Sequence, residues 1–206
     1  KGKPQEFHTL RYHDPASGKL QILSAQIPWD VDQARISDDG KHLGFTTNED
    51  GIAHLHVLTL PDHRELKLPE LPVGVIGNFD FAADGKRLAL TLNTATSPSD
   101  VYVIDLETAA LTRWTRSEIG GLDAGKFVAP TLIHYPSFDR RTIPAFYYKQ
   151  ASVPAGKKLP VIISIHGGPE GQALPTFSAN AQFLVGELGA AVLVPNVRGS
   201  DGYGKT

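Results

Sequence analysis

"LPVIISIHGGPEG", Leu159 to Gly171, decides the reading of this chain. Its apolar run, Val161 to Ile165, stops abruptly at His166-Gly167-Gly168-Pro169. Such a run, interrupted only by Ser164, predicts a strand buried on both faces, as in a parallel sheet. The glycines that follow let the backbone bend close to a ligand. A loop of this kind can present N–H groups to the oxyanion that develops in acyl transfer.

Working outward, Phe177, Ala181, Leu184, Val185 and Leu188 fall on one face of a helix. Pro175 with Thr176 or Ser178 can start it, and Gly189 can end it. Ala190–Val194 then reads as a second buried strand, completing a βαβ unit. Ligands of such sheets bind beyond the carboxyl ends of the strands. Two glycine-rich loops lie there, "HGGPEG" (His166–Gly171) and "NVRGSDGYG" (Asn196–Gly204). The helix after the first loop would add a positive dipole end near the developing charge. His166 stands where a strand ends, so it reads as a residue that orients the loop rather than a general base. The spacing in "GSDGYG" is G-x-x-G-x-G, not the dinucleotide G-x-G-x-x-G, which argues against nucleotide binding. Upstream, Pro130–Tyr135 and Ile143–Tyr148 predict a hairpin with an exposed Asp139-Arg140-Arg141 turn.

The earlier part of the chain is written differently. "ISDDGKHLGFTT" from Ile36 and "FAADGKRLALTL" from Phe81 align at a spacing of 45 residues. "AHLHVLTL" (Ala53–Leu60) and "SDVYVIDL" (Ser99–Leu106) align after a one-residue shift. Each unit reads as strand, Asp-Gly turn, strand, loop, strand, turn, strand. A repeat of this length with four short strands predicts β-propeller blades. Phe7–Leu23 reads as the last two strands of a preceding blade, giving about two and a half blades. His54 and His56 share a strand face and, with no third ligand near, read as solvent-facing. Trp29 and Trp114 read as packing residues.

Bulk properties narrow the function classes. The chain has 206 residues, a net charge of −2 and no cysteine. That composition argues against a nucleic-acid or membrane-surface partner and excludes disulfides and a thiol nucleophile. No apolar run approaches the ~20 residues that span a bilayer, and no signal-peptide pattern opens the chain. Cytoplasm and periplasm both remain open as compartments. The absence of methionine suggests a processed or excised segment. Charge divides near Gly125: residues 1–125 carry −6 and residues 126–206 carry +4. The change in charge and texture places a domain boundary there.

Taken together, the "DGK" turns, "HGGPE" and "NVRGSDGYGK" resemble the prolyl oligopeptidase family of serine peptidases. The resemblance is to its acylaminoacyl-peptidase or dipeptidyl-peptidase branch, and the repeat itself resembles TolB-like blades. It implies a mixed fold: a partial TolB-like β-propeller over 1–125, then the N-terminal part of an α/β-hydrolase domain over 126–206. The implied reaction is hydrolysis of short peptides through an acyl-serine intermediate, with no metal or cofactor. By the same resemblance, the Gly168 backbone N–H is the candidate oxyanion donor. Gly167, Pro169 and Glu170 would shape the cavity beside it. Arg198 would line the site or make a structural ion pair.

The family needs a Ser–Asp–His triad, with the serine in a G-x-S-x-G elbow. No serine of this chain has that setting, and Ser200, between Gly199 and Gly202, comes nearest. The triad is therefore expected beyond Thr206, and the chain by itself is expected to be inactive. Two alternatives stand: an esterase of the same fold, and a TolB-like binding module without enzymatic activity. An incomplete propeller leaves sheet edges open, so self-association through them is a further expectation.

Overall fold

Short antiparallel sheets follow one another along the first part of the chain, in a computed structural model that describes residues 6–154, 156–168 and 170–205. Strands β1 (Arg11–His13) and β2 (Leu20–Ile22) form an exposed two-stranded ribbon. Strands β3 (Asp30–Ile36), β4 (His42–Glu49) and β5 (Ile52–Thr59) form a meander. A single bridge, Leu58 to Glu65, stands where a fourth strand would lie. Strands β6 (Gly74–Phe81), β7 (Arg87–Thr94), β8 (Ser97–Asp105) and β9 (Leu111–Arg113) form a complete four-stranded meander. No sheet closes on itself among the described residues.

The Asp-Gly turns of the repeat are built alike. Gly40 and Gly85 both adopt φ +68°, the left-handed conformation these turns require. Asp39 accepts hydrogen bonds from Ser37 Oγ at 2.7 Å and Lys41 N at 3.1 Å. Those bonds, Ser37 first, draw its carboxyl down to about 2. Asp84 accepts from Lys86 N at 3.0 Å in the same way.

Alternation then sets the register. Leu88, Leu90 and Leu92 on β7 are each no more than 2% exposed and pack with Phe79, Tyr102 and Ile104. Each such leucine contributes roughly 1.5–3 kcal/mol on burial. A one-residue slip would turn the whole row to solvent, so this row selects the pairing. Val57 of β5 joins the same cluster, which binds the two meanders together.

The second part is a four-stranded mixed sheet with one helix. Strands β10 (Thr131–Pro136) and β11 (Thr142–Tyr148) form the predicted hairpin. After β12 (Val161–Ile163) come helix α1 (Ala179–Gly186) and strand β13 (Ala191–Pro195). The order is β10-β11-β13-β12, with β12 and β13 parallel. Ser178 caps α1, its hydroxyl accepting from Ala181 N at 3.2 Å, and Gly189 (φ +63°) follows its end.

Several expectations need correction. Strand β12 is not buried: Val161 is 53% and Ile163 60% exposed, because β12 is an edge strand paired only with β13. Leu188 lies past the end of α1 and is exposed, whereas the polar Gln182 is buried. Trp114 is 63% exposed rather than packed, while Trp29 packs against Phe7 and Tyr203. His56 is not solvent-facing. It stacks on Phe45 and bonds through Nδ1 to Glu65 at 2.8 Å, because the segment after β5 folds back over it. Among the described residues no helix is long and apolar enough to cross a membrane.

The two parts share a core. Ala95, from the turn between β7 and β8, packs with Phe146, Tyr148, Ala173, Val185 and Val192. Burial pushes the Tyr148 hydroxyl up to about 12. Gln182 resolves its own burial by bridging the parts, donating to Ala95 O at 2.8 Å and to Val128 O at 2.9 Å. Asp50, at the tip of the β4–β5 turn, meets His134 of β10 at 2.6 Å.

Candidate active site

The edge position of β12 and the parallel pairing with β13 bring both glycine-rich loops to one end of the sheet. Two hydrogen bonds tie them together. His166 Nε2 lies 2.7 Å from Ser200 Oγ, and Asp201 N donates to Gly171 O at 2.9 Å.

The His166–Ser200 pair has the spacing of a nucleophile and its base, but its protons run the wrong way. Ser200 Oγ also lies 2.6 Å from Val197 O. A carbonyl only accepts, so the single hydroxyl proton goes to Val197. Ser200 must then accept from His166 Nε2, and Nδ1 of the same ring faces Gly167 O at 3.0 Å, so the imidazole spans both loops. A base that already donates to the serine cannot take its proton. Ser200 is also only 8% exposed. The pair is a brace between loops.

Gly168 is exposed and adopts φ +141°, where a side chain is strained. A Cβ there would sit 2.7 Å from Glu170 N and 2.9 Å from Gly171 N. The backbone curls so tightly that only glycine fits, and the Gly168 amide donates to no described residue. Gly167 is exposed beside it. Pro169 lies outside the described residues. The expected helix dipole is not aimed here by the local chain, because residues 169–178 intervene before α1 begins.

A cavity of about 810 Å³ opens between the two parts. Glu170, Arg198 and Ser200 line it from the second part of the chain, and His8, Asp30 and Asp32 from the first. Gly167 and Gly168 do not line it. Burial, then the neighbouring Asp30 charge, raise the Asp32 carboxyl above its usual value. Arg198 is held as a brace: it pairs with Asp139 in the β10–β11 turn, donates to Ser137 Oγ at 3.2 Å and lies 4.6 Å over the Phe138 ring.

Residues not singled out in the sequence complete the setting. Asn196 accepts from Ala173 N at 2.6 Å and donates to Ala173 O at 3.1 Å and to Tyr203 Oη at 2.8 Å. Burial, then the Asp50 charge, push the Tyr203 hydroxyl well above its ordinary value, so it stays protonated. Asn48 donates to Gln172 Oε1 at 2.7 Å across the two parts. Asn196 and Tyr203 belong to the "NVRGSDGYG" loop, which was the available signal; Gln172 carried none.

Comparison with known proteins follows the same lines. No protein-family profile matches the chain. In sequence it is 24% identical over 157 residues to dipeptidyl-peptidase 4 of Giardia intestinalis, covering 64% of this chain and 20% of that protein. Its structure matches an acylaminoacyl peptidase of Pyrococcus horikoshii with a TM-score of 0.67 and 28% identity, over 91% of this chain and 28% of that one. It matches a puromycin hydrolase with a TM-score of 0.78 and 18% identity, over 97% and 31% of the two chains. Prolyl oligopeptidase B of Galerina marginata gives a TM-score of 0.78 at 18% identity, over 96% and 28%. The last two, at that identity, speak for fold alone. The chain thus spans between a fifth and a third of the proteins it matches. Likeness in sequence to the Giardia and Pyrococcus proteins, joined to a fold shared along nearly the whole chain, makes it similar to a segment of the prolyl oligopeptidase-type peptidases.

Proposed function

We propose that this chain is the part of a serine peptidase that builds the oxyanion side of the active site. The observation that carries the reading is the meeting of the two loops at the sheet end, with a Gly168 amide that donates to no described residue, in a conformation only glycine tolerates. In this reading residues 1–125 are propeller blades and residues 126–206 are the first strands of an α/β-hydrolase sheet. The order β10-β11-β13-β12, with a helix between the parallel strands, supports that assignment. The Gly168 N–H stabilises the tetrahedral oxyanion, Gly167, Pro169 and Glu170 shape its surroundings, and Arg198 braces the second loop. The nucleophile, acid and base come from elsewhere in the longer protein, since no serine here has the elbow setting. The substrate is a short peptide. The chain alone, without a nucleophile, does not form an acyl-enzyme.

A serine-directed fluorophosphonate probe tests this. The longer protein is expected to be labelled outside residues 1–206 and to cleave short peptides; the 206-residue chain is expected to stay unlabelled. Labelling on a serine of this chain would overturn the reading. Strong peptide binding by residues 1–125, without turnover by the longer protein, would favour a binding module instead.

A further inference from the structure

Immediately after the Gly168 loop, the chain crosses the blades as a strap, Gln172–Phe177, gripped at both ends. Gln172 Oε1 accepts from Asn48 Nδ2 at 2.7 Å. At the other end, Phe177 N donates to Asn93 Oδ1 at 2.8 Å. Between the grips, Ala173 and Pro175 are buried.

Asn48 and Asn93 are the same position of the repeat. Each is the seventh residue of its strand, β4 and β7, and they stand 45 residues apart, the repeat spacing. Successive blades therefore present equivalent amides to one short segment. Asn48 is itself held, its Oδ1 accepting from Gly51 N at 3.0 Å. The second loop closes over this grip: a Cβ on Gly202 would lie 2.6 Å from Gln172 Nε2 and 3.0 Å from Asn48 Nδ2. Blade turn, strap and both loops thus converge within four residues of Gly168.

We propose that Asn48 and Asn93 are positioning residues, through which two successive blades set the geometry of the Gly168 loop. Both grips are neutral amide hydrogen bonds, so they hold without regard to pH or salt, unlike the Asp50–His134 pair. A shift of either blade against the sheet draws on the strap, and the strap leads directly into the loop. The catalytic consequence rests on reading that loop as an oxyanion loop; the mechanical coupling does not.

Hydrogen exchange of the full chain tests the coupling. Asn48→Ala and Gln172→Ala are each expected to speed exchange over residues 170–174 by about 2- to 12-fold, the worth of one hydrogen bond. Over residues 170–174 the double variant is expected to match the singles, since each removes the same Asn48–Gln172 contact there; Asn48→Ala alone also frees Gly51 N, outside that window. Asn93→Ala is expected to speed exchange over 176–179. Strands β4, β5, β7 and β8 should keep their protection in all of them. Asp84→Asn, at the opposite end of β7, should leave the strap unchanged. In the longer protein Asn48→Ala should lower kcat with KM held. A flat strap, an increase spread evenly over the chain, or additive effects in the double variant would overturn the proposal. The outcomes separate cleanly from those of the peptidase reading. An unlabelled longer protein with a selectively loosened strap sinks only the peptidase, and a labelled one with a flat strap sinks only the coupling.

Discussion

Ser200→Ala separates a brace from a nucleophile, and the structure sets the size of each effect. The substitution removes a hydroxyl that donates to Val197 O over 2.6 Å and accepts from His166 over 2.7 Å. Because Ser200 is 8% exposed, water replaces these partners poorly. Leaving one part-buried donor and one part-buried acceptor unmet costs about 1–3 kcal/mol of stability. If the serine only braces the loops, kcat/KM of the longer protein should fall by about 10-fold or less. If it were the nucleophile, the loss would be about 10⁴- to 10⁶-fold. The gap of roughly three decades is far wider than any error in either figure. The assay is hydrolysis of a chromogenic short peptide by wild-type and variant longer protein, with thermal unfolding measured on the same samples. A lowered melting temperature with turnover largely kept is the expected result. Loss of turnover beyond about 10⁴-fold at an unchanged melting temperature would refute the proton assignment made for the His166–Ser200 pair.

Asp100→Ala should cost about 1–3 kcal/mol, because it removes a buried carboxylate that gathers the part-exposed Arg113, Ser117 and Ser97 and the exposed Thr115. Asp100 is 1% exposed and accepts from Arg113 at 2.5 Å, Thr115 at 2.7 Å and Ser117 N at 2.8 Å; a lower urea midpoint at constant m checks it. Burial pushes this carboxyl up, but hydrogen bonds from Thr115, Arg113 and Ser97 outweigh it and hold it below its ordinary value. A folded value below the unfolded one means the stabilisation is full at neutral pH. It is lost as acid carries the pH down through the folded value, and Asp100→Asn should abolish that part of the acid transition. Gly85→Ala should destabilise by about 1 kcal/mol or more, since the new Cβ would lie 2.7 Å from Asp39 Oδ2 at φ +68°; thermal unfolding reads this directly. Self-association of the chain should run through the open β12 edge, where Ile163 is 60% exposed. Ile163→Lys should then shift light scattering toward monomer, and an unchanged concentration dependence would count against that edge.

Much of the fold was legible because it is local. The Asp-Gly turns of the repeat need only a left-handed glycine and a carboxylate two residues from the amide it accepts from. The alternation along β8, with Tyr102 and Ile104 buried, follows from the period of a pleated strand. Ser178 and Gly189 mark the ends of α1 in the sequence as they do in space. The candidate loop was legible for the same reason, since a glycine pair after an apolar run is a statement about backbone freedom.

What the sequence left open depends on neighbours far along the chain. An apolar run announces a strand that suits burial on both faces, yet the exposure of β12 is a property of sheet order, which the run does not encode. His56 reads as a surface residue until Glu65 folds over it. Gln182 interrupts an apolar helix face until Ala95 O and Val128 O supply its partners. Asn48 and Asn93 are visible as matching letters of a repeat, but their partners are 124 and 84 residues away. By itself, then, the sequence determined the turns, strands and repeat of this protein and the glycine loop with its characteristic freedom, because backbone sterics and side-chain alternation act over a few residues. Only the tertiary structure decided which amides hold that loop, that β12 stays exposed and which way the Ser200 proton points, because each is set by groups that meet only when distant segments pack.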